Sequence, residues 1–303
     1  MLINGSPYGV VTGPDGALWF TLVHQGQIGR VVPGEDPTIF PLDPADGQPT
    51  VITVGHDGSL WYTEFAGGRI GRITQDGTIT AFEVASPYGI AAGPDGAMWF
   101  TQLQDDRIGR ITATGEVTLH PLPTEGAMPS AIVAGPDGAL WFTLNQGNAI
   151  GRITVDGAVT QYALPTPGAA PVGICAGPDE ALWFVEIGAG QVGRINTSGA
   201  ISEFPLPDRA ARPHAIVTGQ DGALWFTEWG IGKLGRITTE GKIDEYPLEG
   251  AEPHGLTVGP DGAIWVAMES GALLRNQPGD LAADGPTATG RASSEFAGLG
   301  NNS

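Results

Sequence analysis

The sequence predicts an all-β fold, a seven-bladed β-propeller of four-stranded antiparallel blades, on three observations. Seven copies of a phrase close to P-x-G-(I/V)-x-x-G-P-D-G-A-L-W-F-T run along the 303 residues. Their tryptophans, Trp19, Trp61, Trp99, Trp141, Trp183, Trp225 and Trp265, stand 38 to 42 residues apart, a period that marks a propeller blade or a solenoid repeat. Between them lie β-branched and aromatic runs broken by Asp-Gly turns, a hairpin pattern with no helical stretch of useful length. A solenoid has no reason to stop at seven units, whereas a ring closes at a set blade count.

Each unit divides into four strands. In the sixth they are expected over 215–218, 223–227, 233–238 and 242–248, around the turns Gly219-Gln220-Asp221-Gly222 and Thr239-Glu240-Gly241. Gly and Asp of the G-P-D-G phrase make the turn. The Trp and Phe of A-L-W-F fill the space between neighbouring blades, and the recurring I-G-R places one arginine per blade against backbone or turn carboxylates. Blades begin near 7, 49, 87, 129, 171, 213 and 253, so one propeller domain is expected over 1–277, with 278–303 as a flexible C-terminal tail. The seventh unit shows three evident strands, 255–258, 263–268 and 272–275, and only six residues precede Pro7. Closure is therefore open between a minimal pairing by Leu2-Ile3, a fold-back of the tail, and packing alone.

Composition narrows the function. The net charge is −19, from 14 basic and 33 acidic residues, which argues against nucleic acid or anionic membrane as a partner because both need clustered Lys and Arg. Half of the cations sit in the I-G-R register or its equivalent: Arg30, Arg72, Arg110, Arg152, Arg194, Arg236 and Arg275. The 48 glycines and 25 prolines are largely periodic and belong to turns. Cys175 is the only cysteine, so neither an intrachain disulfide nor a cysteine-based zinc site is available. No signal peptide or 18-residue apolar run is evident, and the expectation is a cytoplasmic protein. A closed ring has no sheet edges demanding a partner, so a monomer is expected.

Function is sought where the copies differ. The residue after the repeat's proline is Tyr8, Thr50, Tyr88, Ser130, Val172, His214 and His254 in turn. Blades six, seven and one are consecutive in a closed ring, so His214, His254 and Tyr8 should be neighbours at one channel mouth. Blade seven alone has a carboxylate both before the proline, Glu252, and four residues past the tryptophan, Glu269. Glu252 and His254 are two apart, and in an extended strand they would share one face about 7 Å apart. The turn Gly259-Pro260-Asp261-Gly262 sets Glu252 opposite Glu269 or within a residue of it. Opposed Cβ atoms lie about 4.5–5.5 Å apart, and two like charges there repel. A divalent cation would offset that repulsion, and all-oxygen ligands point to Mg²⁺, with Mn²⁺ or Ca²⁺ as alternatives. Two solvated glutamates, or a pair sharing one proton, is the competing account. Glu64, Glu186 and Glu228, three past their tryptophans, recur in three blades and read as structural.

These residues resemble the streptogramin B lyases (virginiamycin B lyases), seven-bladed propellers that linearise cyclic depsipeptide antibiotics. The resemblance spans roughly 7–275 and is sharpest in Ala251-Glu252-Pro253-His254-Gly255 and Ile264-Trp265-Val266-Ala267-Met268-Glu269, which are similar to the family's A-E-P-H-G and I-W-F-A-M-E. It implies Glu252 and Glu269 as Mg²⁺ ligands, His254 as general base, and His214 and Tyr8 as substrate contacts. The family carries a strand before P-Y-G that completes blade seven, and Pro7-Tyr8-Gly9 here has little chain before it. The implied reaction is β-elimination at the threonyl ester of a small cyclic depsipeptide. Two other readings stand beside it: a metal-dependent propeller lactonase or esterase, and a non-catalytic binding scaffold.

Overall fold

The computed structural model describes residues 1–277 and Gly279. The tail expected over 278–303 otherwise lies outside the described residues. Among the described residues, 27 strands form seven antiparallel sheets around a central channel, six of four strands and one of three. The innermost strand of every blade opens on the repeat's proline, from Pro7–Thr12 in blade one to Pro253–Val258 in blade seven. The last blade adds Ile264–Met268 and Ala272–Asn276. Its fourth position is filled by a bridge between Leu2 and Ala272. Ile3 N donates to Gly271 O at 2.9 Å, and Leu273 N donates to Met1 O at 2.9 Å. Of the three closures left open, the minimal pairing by Leu2-Ile3 is the one adopted.

The repeated phrase explains each blade. In blade one, Asp15 Oδ1 accepts from Trp19 Nε1 at 3.2 Å while its Oδ2 accepts from Arg30 Nε at 2.7 Å. The turn carboxylate thus ties the second strand to the third. The same ion pair recurs as Asp57–Arg72, Asp95–Arg110, Asp137–Arg152, Asp179–Arg194, Asp221–Arg236 and Asp261–Arg275. The tryptophans pack forward onto the next blade. Trp19 clusters with Leu60 and Tyr62, and Trp265 clusters with Phe20 to close the ring. Six of the seven tryptophans are fully buried, and removing such a side chain typically costs about 3–5 kcal/mol. The I-G-R glycine is there for space: a Cβ on Gly29 would sit 2.1 Å from Phe20 Cζ.

The threonine of L-W-F-T joins blades at the channel. Thr21 Oγ1 donates to Thr50 O, Thr63 to Tyr88 O, Thr101 to Ser130 O, Thr143 to Val172 O and Thr227 to His254 O, all at 2.6–2.8 Å. Each acceptor is the carbonyl of a post-proline residue, so these bonds fix the backbone of the register in which the candidate site residues lie. Blades five and seven carry Val185 and Ala267 at the threonine position and lack the bond.

Candidate active site

Tyr8, His214 and His254 meet at one mouth of the channel. The Tyr8 and His254 rings stack with centroids 4.4 Å apart, and His214 stands edge-on to His254 at 4.9 Å and to Tyr8 at 6.0 Å. A cavity of about 220 Å³ in the channel is lined by Tyr8, Thr50, Tyr88, Ser130, Val172 and His214, all from the post-proline register. His254 is 7% exposed. Gly255 allows its strand to approach blade one, since a Cβ there would lie 2.7 Å from Tyr8 O.

Glu252 and Glu269 stand opposite each other in the backbone as hairpin arithmetic requires: Pro253 pairs with Met268, and Glu269 N donates to Glu252 O at 3.1 Å. The extended geometry expected for Glu252 is not adopted. Its φ is +58°, and the equivalent residues Gln48, Ser86, Met128, Ala170 and Arg212 also have positive φ, between 36° and 52°. The chain must swing from the outer strand of one blade into the channel within one residue, and the proline that follows disfavours the right-handed helical region there. A register shift between Pro253 and Leu256 further breaks the simple alternation. The shared-face argument for Glu252 and His254 therefore fails, although both remain at the same mouth.

Glu269 is the hub. Its Oε2 lies 2.5 Å from His254 Nε2, off the line of a well-directed hydrogen bond, and its Oε1 lies 2.7 Å from His24 Nε2. Burial lowers the pKa of His254 and the Glu269 carboxylate opposes that shift; the net direction is downward, favouring the neutral ring. Burial, with His254 alongside, brings His214 down to about 3. Tyr8 is held well above the usual phenol range, chiefly by burial. Both histidines are thus neutral near pH 7, able to accept or donate a proton rather than to carry charge. Among the described residues, Nδ1 of His214, both ring nitrogens of His254 and Nε1 of Trp229 are buried without a hydrogen-bond partner.

As a metal centre, the donor set is two carboxylates. Among the described residues no group of three or more His, Cys, Asp or Glu is arranged as a cage. Glu252 makes no side-chain ion pair or hydrogen bond within them. Mg²⁺ characteristically binds through one or two carboxylates and keeps several waters or substrate oxygens, and this donor set fits that habit.

Three site residues escaped assignment from sequence. His24 follows the register that holds Glu269 by one position and so fell outside the comparison of copies. Trp229 is in that register; its ring lies 6.4 Å from His254, with the Arg212 guanidinium 4.7 Å above it. Tyr88 is in the post-proline register, and its hydroxyl is 2.9 Å from that of Tyr8. The remaining histidines are structural: His120 stacks on Trp99 at 5.6 Å, and His56 Nε2 contacts Gly93 O at 2.7 Å.

Fold and site together define a seven-bladed propeller with a histidine–tyrosine–carboxylate cluster at one end of its channel. The chain belongs to the virginiamycin B lyase family, whose model it matches over residues 2–276. It is 62% identical to the virginiamycin B lyase of Saccharopolyspora erythraea over 39 residues, a local alignment spanning 13% of each protein. It is 56% identical to that of Bordetella pertussis over 41 residues, 14% of each. Solved structures extend the likeness to most of the molecule. The selenomethionine-substituted virginiamycin B lyase of Staphylococcus aureus is 44% identical with a TM-score of 0.88, covering 91% of this chain and 97% of that one. A catalytically inactive histidine-to-alanine variant of the Staphylococcus aureus enzyme with quinupristin is 43% identical with a TM-score of 0.87, covering 90% and 96%.

Proposed function

We propose that this protein is a metal-dependent carbon–oxygen lyase that opens cyclic depsipeptides of the streptogramin B type by β-elimination at the threonyl ester. The observation that carries the reading is a buried, neutral His254 stacked on Tyr8 and contacted by Glu269. Membership of a family named for this activity agrees with it. So does the inactivity of a relative that has lost one histidine.

His254 is the base. Glu269 contacts the Nε2 side of the ring, and a neutral imidazole keeps one unprotonated nitrogen that can act as acceptor. That nitrogen takes the proton from the threonine Cα. The C–H electron pair becomes the Cα–Cβ double bond, the Cβ–O bond breaks, and the ester oxygen leaves with its electrons as a carboxylate. No water is consumed. A positioned base contributes on the order of 10²–10⁴-fold. Glu252 and Glu269 would hold Mg²⁺, which when bound supplies Lewis-acid stabilisation of negative charge developing on a carbonyl oxygen, typically several kcal/mol. Tyr8 and His214 orient the substrate, and the apolar channel wall below them keeps water from the deprotonated carbon.

Incubation with a streptogramin B, in Mg²⁺ and separately in EDTA, followed by mass spectrometry of the products, tests the reading. A ring-opened product of unchanged mass, formed only with metal, is expected. Gain of one water would make the protein a hydrolase, and no product from folded protein would make it a binding scaffold.

A further inference from the structure

Tyr88 belongs to blade three, two blades away from Tyr8, yet the two hydroxyls meet at 2.9 Å. The residue of the same register between them is Thr50, a short side chain 6% exposed, and the two phenol rings reach past it. Both tyrosines line the channel cavity. Phe65 stands edge-on to Tyr88 at 6.1 Å, and Thr63 Oγ1 donates to Tyr88 O at 2.7 Å. On the other side Tyr8 lies flat on His254. A continuous file of side chains, Phe65, Tyr88, Tyr8 and His254, therefore crosses the mouth.

Two phenols bring two protons, and the contact between them uses one. The hydroxyl that accepts retains its own proton for a third group. Neither hydroxyl has another hydrogen-bond partner among the described residues. Burial raises the pKa of both, so both are protonated at neutral pH. Tyr8 is the member against the base, and a proton left on Tyr8 lies where charge would develop.

We propose that Tyr88 is a positioning residue: it donates to Tyr8 Oη, fixes the Tyr8 phenol, and leaves the Tyr8 proton directed at the substrate carbonyl oxygen that gains charge as His254 takes the Cα proton. The assignment rests on the lyase reading above. A ring held only by its stacking on His254 could turn its hydroxyl away, whereas one tethered at the oxygen arrives already oriented, and pre-oriented donors account for much of catalytic electrostatics.

The test is a double-mutant cycle, Tyr88→Phe, Tyr8→Phe and both together, with kcat and KM measured on a streptogramin B and thermal unfolding alongside. Ultraviolet resonance Raman difference spectra against wild type report whether a phenol oxygen accepts a hydrogen bond. Tyr88→Phe is expected to lower kcat about 10-fold, the worth of one hydrogen bond, with KM and Tm nearly unchanged and with loss of the accepting-phenol signal. Tyr8→Phe should lower kcat on the order of 10²-fold, and the double variant no further, because Tyr88 acts only through Tyr8. Additive losses, or an unchanged kcat in Tyr88→Phe, would overturn the positioning role while leaving the lyase reading intact. A folded wild type that leaves the ester closed would overturn the lyase reading and this role with it, even with the Raman signal present.

Discussion

The rings of Tyr8 and His254 stack at 4.4 Å across the seam where the first and last blades meet. Near-opposite ends of the described chain thus supply two halves of one site, and the contact exists only while the ring is closed. Closure draws on the packing of Trp265 against Phe20, the Thr12 Oγ1 bond to Val258 O at 2.6 Å, the bridge from Leu2 to Ala272, and Ile3, 5% exposed, packed with Trp265 and Leu273.

Ile3→Ala should therefore lower unfolding stability by about 2–5 kcal/mol, the usual range for truncating a buried isoleucine. Urea denaturation gives the number. Catalytic efficiency should fall as well, because the strand carrying Tyr8 loses its anchor. Wild-type stability in this variant would mean that blades one and seven hold together without the N-terminal pairing.

His254→Ala should lower turnover by about 10²–10⁴-fold while Mn²⁺ binding, followed by electron paramagnetic resonance, survives. Glu252→Gln and Glu269→Gln should behave the other way, weakening Mn²⁺ binding along with activity. Full activity in His254→Ala would remove the base assignment, and undiminished Mn²⁺ binding in both glutamine variants would remove the metal site.

Thr227 tests how His254 is held. Its Oγ1 donates to His254 O at 2.8 Å and accepts from Ala215 N at 3.1 Å. Thr227→Val should cost about 1–3 kcal/mol of stability and, on the role proposed for His254, lower kcat, since His254 O is freed. Thr143→Val removes the equivalent bond from blade four to Val172 O of blade five and should cost similar stability with kcat kept. Equal effects on kcat would show that the bond serves the fold alone.

Glu228 should make stability depend on pH. It is fully buried, both carboxylate oxygens lack a hydrogen-bond partner among the described residues, and burial, aided by Glu245, raises its pKa from 4.5 to about 8. In blade two the equivalent Glu64 is answered by Arg69 at 2.6 Å, whereas in blade six Lys233 turns to Glu245 at 2.8 Å. A carboxyl with a raised folded-state pKa favours the folded protein below 4.5, and that contribution is lost as pH rises through about 8. Glu228→Gln should stabilise the protein at pH 9 by on the order of 3 kcal/mol and change little at pH 4. Parallel pH–stability curves for the two proteins would contradict the buried, unpaired state.

Much of the site was legible because a repeat exposes its own exceptions. His214, His254 and Tyr8 stood out in one register, and ring order alone made them neighbours. Glu252 and Glu269 followed from turn arithmetic, which holds wherever a hairpin is regular. The shared-face reading of Glu252 and His254 misled, because the backbone is irregular there, at the left-handed φ of Glu252 and the register shift after Pro253. His24 was missed because it reaches Glu269 from one position outside that register, and Tyr88 because its partner lies two blades away.

The sequence by itself determined the blade number, the strand order within each blade and the residues that depart from the pattern. Those properties depend on turn chemistry and side-chain period, which act over a few residues. Only the tertiary structure decided that Leu2 closes the ring, that Glu269 lies between His24 and His254, and that Tyr88 reaches Tyr8 past Thr50. Those contacts join residues from different blades, and their distances follow from the curvature of the closed ring and the size of the side chains between them.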